Sequence, residues 1–160
     1  MIINSQKRLF GKRSKVSLFT LGTMRSTESL DKMYSIIKNA YHVGINHIET
    51  AASYGDAELL IGHALKKLEI EDKISKKNWI ITTKVLPKGD LNYLRNNLEN
   101  SLKNLKLRKI NNLAIHGINL NEHLEWVLFG EGKKFIKWLF EKRLVDQVGF
   151  SSHGSYSLIQ

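Results

Sequence analysis

Short apolar runs alternate with amphipathic stretches from Val16 onward, and no other feature of the chain restricts its fold as much. Val16 to Leu21 reads as a strand. Leu30, Met33, Tyr34, Ile37, Ala40 and Tyr41 then recur at the i, i+3, i+4, i+7 spacing of one helix face, and Gly44 stands where such a helix stops. Ile45 to Glu49 is a second strand, followed by a helix from Ala57 to Leu68 with Leu60, Ala64 and Leu68 on one side. Trp79 to Lys84 (WIITTK) is the third strand, ended by the loop around Pro87, and Leu91, Leu94, Leu98, Leu102 and Leu105 mark the next helix. Ile110 to His116 is the fourth strand. One or two helices between Leu120 and Lys142 lead to the fifth, Val145 to Ser151, after which a further helix can start. Strands and helices alternating at this spacing mean βα units and a parallel sheet.

Two architectures answer to that description. An open doubly wound sheet is marked by a G-x-G-x-x-G turn after its first strand, whereas this chain runs into LGTMRS. A closed (β/α)8 barrel takes about 250 residues. The 160 residues here are too few for a complete one.

Composition removes several function classes. The hydrophobic content of 42% suits a folded domain with a sizeable core. With no cysteine there is no disulfide framework, thiolate metal site or cysteine nucleophile, which fits a cytoplasmic protein. No metal site is expected. No apolar run approaches the roughly 20 residues of a membrane span, and MIINSQKRLFGKRSKV lacks the apolar centre of a signal peptide. The formal charge of +10 raises the question of nucleic acid. Most lysines are scattered over helix faces, and the dense run Lys7, Arg8, Lys12, Arg13 and Lys15, with Phe10 its single aromatic, is not an aromatic-interleaved basic motif, so residues 1–15 read as a solvated basic arm and no nucleic-acid partner is expected.

The chemistry gathers at the strand ends. Side chains alternate along a strand, so Ile45, His47 and Glu49 share one face, as do Ile80, Thr82 and Lys84, and Asn112, Ala114 and His116. Leu113 and Ile115 lie opposite and suit packing against helices. Three consecutive strands therefore turn an acid, a lysine and a histidine the same way at their C-terminal ends, where α/β enzymes place their sites. The stretch HIETAASYGDAE adds a phenol, Tyr54, on the loop after Glu49, and a second acid, Glu58, as a helix begins. Alone, each group would be an ion-pair partner, a hydrogen-bonded core imidazole or an interfacial phenol. Together they form a set. An ammonium near a phenol favours the phenolate, a carboxylate holds the ammonium charged and oriented, and an imidazole can hydrogen-bond a substrate oxygen. Such a set protonates a carbonyl as hydride arrives.

These residues resemble the aldo-keto reductases, whose members are (β/α)8 barrels that use NADPH or NADH. The matching stretches are LGTMRS, GINHIETAASYGDAELLIGHAL, WIITTK, INNLAIHGIN and VDQVGFSSHG, in that order along nearly the whole chain. The resemblance implies an α/β fold forming part of a (β/α)8 TIM barrel, about five βα units of its N-terminal part. Residues 16–160 would be a truncated barrel domain behind the arm. It further implies a catalytic set of Tyr54 as proton donor with Lys84, His116 and Glu49, the last standing where the family usually has aspartate. Gly22, Thr23, Ser151 and Ser152 would bind NADPH (or NADH), the two serines replacing a usual serine-asparagine pair. The implied function is NAD(P)H-dependent reduction of an aldehyde or ketone, with a small carbonyl compound as substrate. Part of a barrel also leaves strand edges open. Self-association through that edge is expected, and the alternative function is a non-catalytic fragment or interaction subunit that binds a partner chain.

Overall fold

A computed structural model describes residues 6–12, 14–25 and 28–160. Its centre is a five-stranded parallel sheet whose strands follow in chain order. They are β3 (Leu21–Gly22), β4 (His47–Glu49), β5 (Ile80–Val85), β6 (Ile110–His116) and β7 (Val145–Ser151). Two further strands, β1 (Lys7–Phe10) and β2 (Ser14–Ser17), pair antiparallel in a separate hairpin. The helices are α1 (Leu30–His42), α2 (Ala57–Glu71), α3 (Leu91–Leu105), α4 (Asn121–Leu128), α5 (Glu131–Glu141) and α6 (Tyr156–Ile159). This is the expected α/β architecture, part of a (β/α)8 barrel with five βα units. Sequential neighbours throughout the sheet are what a barrel wall requires and what a doubly wound sheet, which reverses direction, does not have.

Local chemistry accounts for the elements. Ser29 starts α1 by accepting a hydrogen bond from the Lys32 amide (3.2 Å), and Asp90 does the same for α3 through Tyr93 (2.8 Å). The α3 leucines recur every three or four residues, and Leu94, Leu98 and Leu105 are fully buried with Ile61, Leu65 and Leu68 of α2. Each such side chain contributes roughly 1.5–3 kcal/mol on burial. Gly62 lets α2 lie directly on α3, since a Cβ there would come within 2.0 Å of the Asn104 carbonyl oxygen. Leu113 and Ile115 of β6 join this helix-side core, as their alternation demands.

The N-terminal region departs from expectation. The strand expected from Val16 to Leu21 is divided between two structures, because Val16 pairs with Arg8 in the hairpin and only Leu21–Gly22 enters the parallel sheet. The basic run is therefore in good part a β-hairpin, one that straddles the expected boundary at residue 15. Gly11 makes its turn possible, with φ at +62° and the Gln147 side chain lying against its Cα. Residues 1–5 and Arg13 of the arm lie outside the described residues, as does Ser26 of LGTMRS. Among the described residues, no helix is long and apolar enough to cross a membrane and no cluster of potential metal ligands occurs.

Candidate active site

Parallel pairing sets the heights of the groups at the sheet's C-terminal edge. Gly22 pairs with Glu49, Glu49 with Thr82, Lys84 with Ala114 and His116 with Ser151, so adjacent strands step upward. Beyond Glu49 the chain stays bound to β5, the Thr50 amide donating to the Thr82 carbonyl (2.9 Å) and the Ala52 amide to the Lys84 carbonyl (3.2 Å). It then folds into a tight turn in which the Tyr54 amide donates to the Ala51 carbonyl (3.0 Å) and the Ala57 amide to the Tyr54 carbonyl (3.1 Å), with Gly55 at φ +56°. That turn delivers the phenol over the end of β5.

Lys84 is the hub. Its side chain is buried, and its ammonium forms an ion pair with the Glu49 carboxylate, donates to the Thr50 carbonyl (3.0 Å) and donates to the Tyr54 hydroxyl (3.1 Å). An ammonium has three protons, and three acceptors surround this one. The Tyr54 oxygen is thus used as an acceptor, which leaves its own O–H free to donate. Burial pushes the Lys84 ammonium down to about 8. The Glu49 carboxylate against it favours the charged form and works in the opposite sense.

His116 completes the group. Its ring stands edge-on to the Tyr54 ring, centroids 5.7 Å apart, and its Nδ1 lies 3.3 Å from Ser53 Oγ. Burial, followed by the positive charges of Lys84 and His153, holds its imidazole below the ordinary histidine range. At neutral pH it is an uncharged hydrogen-bonding group. In the tautomer in which Ser53 donates to Nδ1, Nε2 carries the proton and can donate. Ser53 was not among the expected residues; its only signal in the sequence is adjacency to Tyr54.

The other expected residues are placed differently. Gly22 is exposed beside the acid, where a Cβ would lie 3.9 Å from Glu49 Oε2. Thr23 is fully buried, and both its amide and its hydroxyl donate to the Glu49 carbonyl (3.1 Å each), so it pins the strand that carries the acid. Ser151 Oγ accepts from the Gly117 amide (3.1 Å), with its hydroxyl proton still available. Ser152 Oγ donates to the Ile118 carbonyl and accepts from the Gly154 amide (2.9 Å), which satisfies it within the loop. Glu58 points away from the site into the helix layer, accepting from Thr83 Oγ1 at 2.6 Å, and burial pushes its carboxyl up.

One layer below the site runs a row of polar side chains. Thr20 Oγ1 and Thr82 Oγ1 bracket the His47 ring at 2.8 and 2.7 Å, Asn112 Nδ2 donates to Thr82 Oγ1 (3.2 Å), and Gln147 Nε2 donates to Asn112 Oδ1 and to the Phe10 carbonyl (2.7 Å). The row fastens the hairpin to the concave face of the sheet and fixes the rotamers beneath Glu49 and Lys84.

Residues 19–160 match the model of the aldo/keto reductase family. An aldose reductase of Encephalitozoon cuniculi is 38% identical over 85 residues, 53% of this chain and 27% of that protein. The aldo-keto reductase AKR11C1 of Bacillus halodurans, solved in its holo form, superposes with a TM-score of 0.77 at 22% identity over 93% of this chain and 51% of its own. The Bombyx mori enzyme AKR2E4, solved in complex with NADP, gives 0.73 at 22% identity over 91% of this chain and 50% of its own. The chain thus spans about half the length of these solved structures and about a quarter of the curated relative. With the family match covering the sheet, the site loops and all but the N-terminal hairpin, the chain belongs to the aldo/keto reductase family.

Proposed function

We propose that this chain carries the proton-handling half of an NAD(P)H-dependent carbonyl reductase, reducing an aldehyde or ketone to an alcohol. The observation that carries the reading is the buried Lys84 ammonium shared between the Glu49 carboxylate and the Tyr54 hydroxyl, with the phenolic proton left free. Tyr54 gives that proton to the carbonyl oxygen as the oxygen becomes basic. Lys84 stabilises the phenolate left behind, and Glu49 keeps the ammonium charged and aimed. His116, neutral and with a donor at Nε2, orients the carbonyl oxygen toward Tyr54 without competing for its proton. The sheltered position of Lys84 strengthens each of these interactions over its value in water.

The donor set fits the nicotinamide end of NADPH or NADH. Gly22 leaves open surface beside Glu49, and Ser151 retains a hydroxyl proton for a carboxamide, whereas Ser152 is already satisfied. When bound, the cofactor supplies the hydride. The bound NADP of the Bombyx mori relative supports the choice of cofactor.

Replacing Tyr54 by phenylalanine tests the reading. Turnover of an aldehyde should fall by about 10²–10⁴-fold, the range for losing a positioned general acid. Thermal stability and the nicotinamide fluorescence change on titration with NADPH should stay as they are. Undiminished turnover would remove Tyr54 as the proton donor.

A further inference from the structure

Beside His116, on the side away from Glu49, lies a cavity of about 340 Å³ formed by the loops after β5, β6 and β7. Leu86, Lys88, His116, Asn119, His123 and His153 are among the residues that line it, and none of its lining residues is a carboxylate. Its volume is at the lower end of the roughly 300–1,000 Å³ of small-ligand sites. Asn119 organises the polar wall. Its amide donates to His123 Nδ1 (3.2 Å), which leaves Nε2 as the N–H donor of that ring, and its side-chain oxygen accepts from the His153 amide (2.7 Å), which ties the β7 loop to the β6 loop. Lys88 makes no ion pair among the described residues.

From this we infer that the substrate is a small carbonyl compound that also carries a carboxylate, held in this cavity by Lys88, His123 and His153 while its carbonyl reaches Tyr54. The inference deepens the carbonyl-reductase reading and rests on it. The lining offers an ammonium and imidazole N–H donors with no acceptor of opposite charge, the complement of an anion. A neutral carbonyl compound would leave those donors to water, with no charge to meet them. His116 belongs both to this wall and to the proton-handling group, so the cavity adjoins that group. The small volume favours a compact carboxylate-bearing molecule over a large polyanion.

Two matched alcohols, the expected products, separate the outcomes without aldehyde condensation on lysines: 4-(hydroxymethyl)benzoate and benzyl alcohol. Each is titrated into the whole protein while the imidazole resonances of His123 and His153 are followed by NMR. The carboxylate should saturate and shift both rings, with benzyl alcohol weaker by roughly tenfold or more, the scale of one charge-assisted hydrogen bond. Lys88→Met and His123→Phe should each erase most of that preference. Equal affinity for the two alcohols, a preference that survives Lys88→Met, or inorganic phosphate or acetate binding as tightly as the hydroxymethylbenzoate would overturn the inference. Turnover of 4-carboxybenzaldehyde and benzaldehyde with NADPH distinguishes the two levels. Carboxylate preference in binding with neither aldehyde reduced overturns the reductase reading and leaves the pocket standing. Reduction of both at equal kcat/KM overturns the pocket and leaves the reductase.

Discussion

His47 shows how one buried side chain makes the protein sensitive to acid. Its ring is almost fully buried, between two threonine hydroxyls, and burial pushes its pKa from 6.5 down to about 4. Between those values the unfolded chain binds a proton that the folded chain refuses, so stability falls as pH drops through the window. The loss should approach about 3 kcal/mol near pH 4. Urea midpoints measured from pH 7 to pH 4 should show it, and His47→Gln should flatten the slope; an unchanged slope would assign the acid sensitivity elsewhere. At this scale the sequence was informative about direction and silent about partners. Alternation alone places Glu49, Lys84 and His116 on one face, and they do meet around Tyr54. It could not show that Glu58 turns into the helix layer, because a residue opening a helix is rotated by a turn whose dihedrals the sequence does not state. Nor could it show Ser151 and Ser152 engaging the β6 loop, since loop-to-loop hydrogen bonds have no period.

Among the elements, α2 and α3 carry the tightest approach. The Asn104 carbonyl sits where a Gly62 side chain would be, and backbone cannot yield as a flexible side chain does. Gly62→Ala should therefore destabilise the fold, by the roughly 1–3 kcal/mol of an overpacked core, although alanine is the better helix former. Thermal denaturation checks it, with an unchanged or raised Tm counting against a rigid contact. The helices themselves were legible, because α3 repeats leucine at helical spacing and Gly44, just past the end of α1, takes the positive φ (+85°) of a helix stop. The fourth and fifth strands also fall where apolar runs placed them. The hairpin was not legible: its first strand is exposed along its whole length, so it lacks the in-out alternation by which a half-buried strand is recognised. What holds it is distant in sequence, the Gln147 side chain reaching the Phe10 carbonyl.

For the whole molecule, the decisive feature is that β7 bounds the sheet among the described residues. Phe10, Phe140, Gln147 and Phe150 help line a cavity of about 530 Å³ at that edge, and Phe140 and Phe150 are about half exposed (47% and 56%). An open strand edge flanked by apolar rings favours association. Sedimentation velocity across a concentration series should show a self-associating species that Phe150→Lys weakens; a monomer at every concentration would count against the edge as an interface.

The stepped register of the sheet has a further consequence. Glu49, Tyr54, Lys84 and His116 all fall within residues 49–116, with Glu49, Lys84 and His116 on three consecutive strands, each with a paired neighbour on either side, and Tyr54 on the loop after β4. A genetic crossover placed after His116 would carry the whole of the proposed proton-handling group into another barrel as one inheritable block. The recipient would keep its own loops after β6 and β7, while the β5 loop with Lys88 would travel with the block.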